Sequence, residues 1–279
     1  MAGVDYIQRK NVVIVKQYGT KVKLTLCNNS GNYKYDIRFD SGDRGEVNEE
    51  KLDCNLSRAK GKVFEYASCN PWEYFGTFTI DGKKYPRDDL KGFYKQYGYF
   101  LQNYNKKHDL GIKYVNIPEL HKDEENWHMH GILHGLPLHH LKKFEKGDKT
   151  PDGKYIKSDL WKKGYYYWPA YAEKFGFCSF GQIEDMEKTS AYMTKYITKD
   201  ISKSVRELNA KSYYCSRGLK KAEELNRGYL AIPYKDSDFD YVGDFTKVKW
   251  FKTKDLCYID SLIVPFENNI NNNLLSKIN

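Results

Sequence analysis

Between Trp72 and Leu208 the apolar residues change period from two to about 3.6 and back, and this succession limits the possible folds more than any other feature. EYFGTFTI (73–80) reads as a strand, with Phe and Thr suited to a pleated surface. Leu90, Phe93, Tyr94, Tyr97 and Leu101 recur every three or four residues and predict a helix from Asp88 to about Lys107. KYVNIPELH (113–121) is a second strand, KDEEN a turn, and WHMHGILHG (127–135) a third strand able to pair with the second as a hairpin. A polar stretch and aromatic YYYWPAY follow, then FCSFGQIE (177–184) as a fourth strand. From Glu184 to about Leu208 neither Pro nor Gly interrupts a helical pattern. This order predicts an α+β class: a central antiparallel β-sheet flanked by helices.

The flanks are less regular. NVVIVKQY, KVKLTLCN and YKYDIRFD read as short strands, and NLSRAKGKVFEYAS as a helix. The expected division is an N-terminal β-rich extension over 1–58, a central domain over 59–225, and a C-terminal extension over 226–279 ending in an Asn-rich tail.

Charge narrows the partners. Forty-six Lys and Arg face 37 Asp and Glu, a formal charge of +9, and 25 tyrosines accompany them. Cations that track phosphates and rings that stack on bases suit single-stranded nucleic acid. The six cysteines are scattered, without a C-x-x-C pair, which argues against a disulfide framework or zinc ribbon and suits a reducing cytoplasm. No run has the length or apolarity of a membrane span or signal peptide, so no membrane partner is expected.

Alternation places His128 and His130 on one face of their strand and Met129 on the other, towards a core. Two imidazoles on one face are a natural pair of metal ligands, although a bare H-x-H also fits two solvated histidines. Glu119 and His121 share a face of the preceding strand, and pairing register decides which reaches the same spot. A carboxylate with two imidazoles leaves positions open for substrate oxygens and suits Mg²⁺ or Mn²⁺. In YMTKYITKD, Tyr192 and Tyr196 would lie about 40° apart on a helix, with Lys195 and Lys199 in the same arc of roughly 100°. Met193, Ile197 and Ile201 form the neighbouring apolar stripe. Nearby ammonium groups would favour a phenolate nucleophile.

Together, FGTFTI, IPELHKD, WHMHG, SAYMTKYITKD and CSRGLKK resemble the HUH endonucleases, in particular the two-tyrosine rolling-circle replication initiators of small bacteriophages and plasmids. The resemblance runs from about Asn70 to Lys221 and implies an RRM-like sheet core. It implies that His128 and His130 bind Mn or Mg, with Glu119 as third ligand and His121 as the alternative. It implies Tyr192 and Tyr196 as nucleophiles, Lys195 and Lys199 beside the scissile phosphate, and Lys195, Lys199 and Arg217 as DNA contacts. The implied reaction nicks single-stranded origin DNA, leaving a 5′-phosphotyrosine and a 3′-OH primer. No Walker-type motif occurs, so a host or phage helicase and a polymerase are the expected partners. Both tyrosines fit the Y-x-x-K pattern of one-tyrosine relatives, so whether one or both act stays open. Alternatives are a relaxase or transposase of the same superfamily, a water-using hydrolase, and a non-catalytic single-strand-binding protein.

Overall fold

The computed structural model describes residues 12–27, 49–120, 127–150, 153–197, 211–243 and 246–265. The chain divides into two compact units, Phe39–Lys220 and a second one that joins Met1–Arg38 to Lys221–Asn279. In chain order the elements begin with β1 (Val12–Tyr18) and β2 (Lys21–Cys27). Next come α1 (Glu49–Cys69), β3 (Tyr74–Thr79), α2 (Leu90–His108), β4 (Lys113–Leu120), β5 (Trp127–His134) and β6 (Lys142–Lys143). Then follow α3 (Ser158–Lys162), β7 (Tyr166–Tyr167), α4 (Pro169–Lys174), β8 (Cys178–Gln182), α5 (Met186–Met193) and β9 (Tyr214–Cys215). The chain finishes with β10 (Glu223–Leu230), β11 (Tyr241–Val242), β12 (Thr246–Lys252), α6 (Leu256–Ser261) and β13 (Ile263–Pro265).

Phe39–Lys220 is built on a seven-stranded sheet in the order β6-β7-β8-β3-β5-β4-β9, with antiparallel pairing throughout. Strand alternation gives it two apolar faces. On one, Tyr74, Phe78, Met129 and Leu133 pack against Phe93, Tyr97 and Phe100 of α2 and Tyr171 of α4. On the other, Val115, Ile117 and Ile132 pack against Leu56, Ala59 and Val63 of α1 and Met193 of α5. Helices on both faces of an antiparallel sheet make the α+β fold that the element order predicts. Asp89 caps α2 by accepting a hydrogen bond from the Gly92 amide at 2.8 Å, and Asp185 caps α5 by accepting one from the Lys188 amide at 3.0 Å. Met129, 1% exposed, lies in the α2 face of the core, opposite the histidines that flank it.

The second unit is a six-stranded antiparallel sheet ordered β11-β12-β2-β1-β10-β13. β1 pairs with β10, and β2 pairs with β12, so segments from both ends of the sequence complete one sheet. Each of these short strands has one apolar side, which only lateral partners can cover. Val13, Val15, Val22, Leu24 and Leu26 form the core of this sheet with Ile259 and Ile263.

Some expectations change. The helix read from NLSRAKGKVFEYAS begins earlier, at Glu49. The long helix read from Glu184 ends its α-form at Met193 and tightens to a 3₁₀ turn over Thr194–Tyr196. The Thr194 hydroxyl donates to the Ala191 carbonyl at 2.7 Å, a local bond that competes with α-helical pairing. The strand read from YKYDIRFD, the Asn-rich tail, His121, Lys199 and Ile201 lie outside the described residues. No helix among the described residues is long and apolar enough to cross a membrane.

Candidate metal and nucleophile site

The hairpin β4–β5 sets the site. Its register places Glu119 directly opposite His128, and Ile117 opposite His130. Directly opposed side chains share a face and diagonal neighbours lie within reach of long side chains, so one glutamate serves both imidazoles. The Glu119 Oε2 atom lies 3.0 Å from His128 Nε2 and 2.7 Å from His130 Nε2. The three donor atoms lie within 4.8 Å of one another, and all three residues are half-buried. Two imidazole nitrogens and one carboxylate oxygen converging from one side form a donor set that could hold a metal ion. Such a mixed nitrogen and oxygen set, with one side open, fits Mn²⁺ or Mg²⁺ better than a closed structural site.

β3 supplies the next layer. Thr77 is opposite His130 in the ladder, and its Oγ1 lies 3.3 Å from His130 Nδ1. Phe75, two residues back on the same face, lies 6.4 Å from the His130 ring and nearly parallel to it. Neither residue stood out in the sequence beyond its place in the strand FGTFTI. Strand parity puts Phe75 and Thr77 on one face, but their nearness to the histidines depends on pairing register.

The tyrosine segment closes over this layer. The Tyr196 ring stacks on the His130 imidazole at 3.9 Å and 16° from parallel. Tyr192 and Tyr196 ring centroids are 5.3 Å apart and perpendicular, and Phe75 touches Tyr192 edge-on at 5.5 Å. Met193 and Ile197, both fully buried, anchor the segment on the α1 face of the core. Tyr192 remains 42% exposed. The two phenols therefore occupy different surroundings rather than an even stripe.

The electrostatics depart from expectation. Burial pushes the Tyr196 phenol well above its usual pKa, and its hydrogen bond to Tyr192 and the nearby Glu119 carboxylate add to this. The ammonium of Lys195 sits over the Tyr192 ring, 5.1 Å from its centroid, as a cation–π contact. Proximity of lysines on the helix therefore does not produce a ready phenolate at Tyr196. Burial also pushes the His130 imidazolium down, towards the neutral form that can ligate a metal.

Arg217 is exposed in the turn after β9. The adjoining Ser216 amide bonds Tyr114, and the Gly218 carbonyl accepts from Lys113. That is the opposite end of β4 from Glu119, roughly 20 Å away along the strand. Glu119, His128, His130, Tyr192, Tyr196 and Lys195 thus come together, and Arg217 does not join them.

Residues 73–201 match the family model of a replication-associated protein of the ORF2 type, a span that begins just before β3 and ends beyond the tyrosine segment. No curated protein and no solved structure matches the chain.

Proposed function

We propose that this chain is a rolling-circle replication initiator that nicks and rejoins single-stranded origin DNA through a tyrosine nucleophile. The observation that carries the reading is the Tyr196 ring stacked on His130 within a convergent Glu119, His128 and His130 donor set. The family match over the same residues supports it. A divalent cation held by those three residues would polarise a phosphoryl oxygen and offset charge developing on the phosphate. A tyrosine hydroxyl attacks phosphorus, and the bond from phosphorus to the 3′ oxygen breaks. The 3′ oxygen leaves as a hydroxyl after taking a proton, and the 5′ phosphate stays esterified to tyrosine. That ester retains the energy needed for a later 3′-OH to reseal the strand.

Within this reading Tyr196, beside the donor set, makes the first attack, and the more exposed Tyr192 is placed to accept the second transfer. Lys195 and Lys199 contribute positive charge for the DNA phosphates. Incubating the chain with candidate origin single strands and Mn²⁺ should give a denaturation-resistant protein–DNA band. Tyr192→Phe/Tyr196→Phe should lower its formation by more than about 1,000-fold. A band of parental strength from the double variant would refute the nucleophile assignment.

A second reading follows from the hydrogen bonding itself. Glu119 Oε2 can accept from both imidazoles, so the triad can be satisfied without an ion. A binding protein that never cuts would show DNA affinity indifferent to chelator and no nick at any Mn²⁺ concentration.

A further inference from the structure

The six-stranded sheet has a face that its own core does not use. Val13, Val15, Val22, Leu24 and Leu26 point into the buried cluster, so their neighbours along β1 and β2 project from the other side. Register aligns these in two rows across three adjacent strands. Lys16, Lys23 and Trp250 form one, and Tyr18, Lys21 and Lys252 form the other. Tyr18 and Trp250 meet edge to face with ring centroids 5.4 Å apart. The Lys23 ammonium lies 6.0 Å from the Tyr18 ring and 5.8 Å from the Trp250 ring.

Beside these rows is an open hollow of about 490 Å³ lined by Lys21, Trp250, Phe251, Lys252, Lys254 and Asp255. Lys254 sits in the 3₁₀ turn Thr253–Asp255, and the Thr253 hydroxyl donates to the Thr20 carbonyl at 2.7 Å, which ties that turn to the β1–β2 connection. Carboxylates do not neutralise the patch. Asp255 is the one acid lining the hollow, and it accepts the Lys252 amide at 3.1 Å. Glu224 lies 3.9 Å from Lys16 and chelates Arg227 at 2.7 and 3.0 Å. Lys23, Lys252 and Lys254 have no ion pair among the described residues.

An acidic protein surface would satisfy the lysines and leave the indole without a partner of its own kind. Ammonium groups bordering an aromatic ring match the alternating phosphates and bases of a single strand. We propose that this face is a second single-stranded-DNA site, in which Lys21, Lys252 and Lys254 hold backbone phosphates and Trp250 stacks on a base. The choice of DNA as occupant rests on the initiator reading, but binding here requires no cutting.

The test uses the full chain carrying Tyr192→Phe/Tyr196→Phe, a fluorescein-labelled oligo(dT), and anisotropy across a NaCl series. Lys21→Ala/Lys252→Ala/Lys254→Ala should lower the slope of log affinity against log salt by about 2, at roughly 0.7 per lost single-strand contact. Trp250→Ala should weaken binding about 5-fold or more with the slope kept, and Trp250→Phe should retain most of the affinity. Circular dichroism melts confirm that each variant is folded. Parental affinity and slope in the folded triple variant would overturn the proposal. So would an unchanged DNA slope accompanied by lost binding to an oligo-glutamate peptide, which would assign the face to an acidic protein. Absence of origin cutting by the unsubstituted chain, together with the expected slope change, would sink the initiator reading and leave this site standing.

Discussion

His130 shows how one side chain is committed by its neighbours. Its Nε2 faces Glu119, its Nδ1 faces Thr77 Oγ1 at 3.3 Å, and Tyr196 covers its flat face. To ligate a metal through Nε2, a neutral imidazole must keep its proton on Nδ1, and Thr77 Oγ1 is the acceptor placed to hold it there. Thr77→Val keeps the shape and removes the acceptor. It is expected to weaken Mn²⁺ binding by about 10-fold or more, whereas Thr77→Ser should bind as the parent does. Titration calorimetry separates the two, and equal affinity in the valine variant would reduce Thr77 to packing. The same scale explains why the lysines do not activate Tyr196. Burial against Phe75 and His130 outweighs a cation that sits over the neighbouring ring.

At the scale of elements, β5 works because its two faces differ. His128 and His130 line the site face, while Met129 and Gly131 face the α2 side. Gly131 lies opposite Asn116, which is fully buried, and a Cβ at Gly131 would stand 1.9 Å from Asn116 Oδ1 and 3.1 Å from the Val115 carbonyl. The close approach that a glycine permits after the histidines is thus used by Asn116 from the core side. Gly131→Ala should cost about 1–3 kcal/mol through overpacking, read as a lower urea midpoint. An unchanged midpoint would mean that Asn116 can move aside without loss. The α5 segment shows the converse, a local bond reshaping an element. The Thr194 hydroxyl accompanies the change to a 3₁₀ turn, and Tyr196 then lies on His130 while Tyr192 stays exposed.

At the scale of the whole molecule, aromatic mass supplies much of the core of the seven-stranded unit. Tyr94, Tyr97, Tyr114 and Tyr171 all have phenols raised by burial, Tyr114 to about 12. Each native phenol holds its proton to higher pH than the same phenol in the unfolded chain, which releases it near 10. Their contribution to stability is therefore complete below about pH 10 and is lost as pH rises towards 12. Absorbance at 295 nm and far-ultraviolet dichroism, followed together, should show these four ionising only as the fold is lost. Their ionisation with dichroism unchanged would contradict the burial described here.

Local patterns determined the elements: period two announced β3, β4, β5 and β8, and period 3.6 announced α2. They also determined that His128 and His130 face together and that Met129 faces a core, because alternation along a strand needs no knowledge of its partners. Tertiary structure alone decided what lies across from those histidines. Register brought Glu119 to both imidazoles and Thr77 to His130, and a shift of one residue would have turned those side chains to the other face. It also decided that β1 and β2 pair with β10 and β12, since the sequence separation of partners leaves no mark in either strand. Burial, a property of the packed chain, decided that Tyr192 and Tyr196 are chemically unlike although their sequence context is nearly the same.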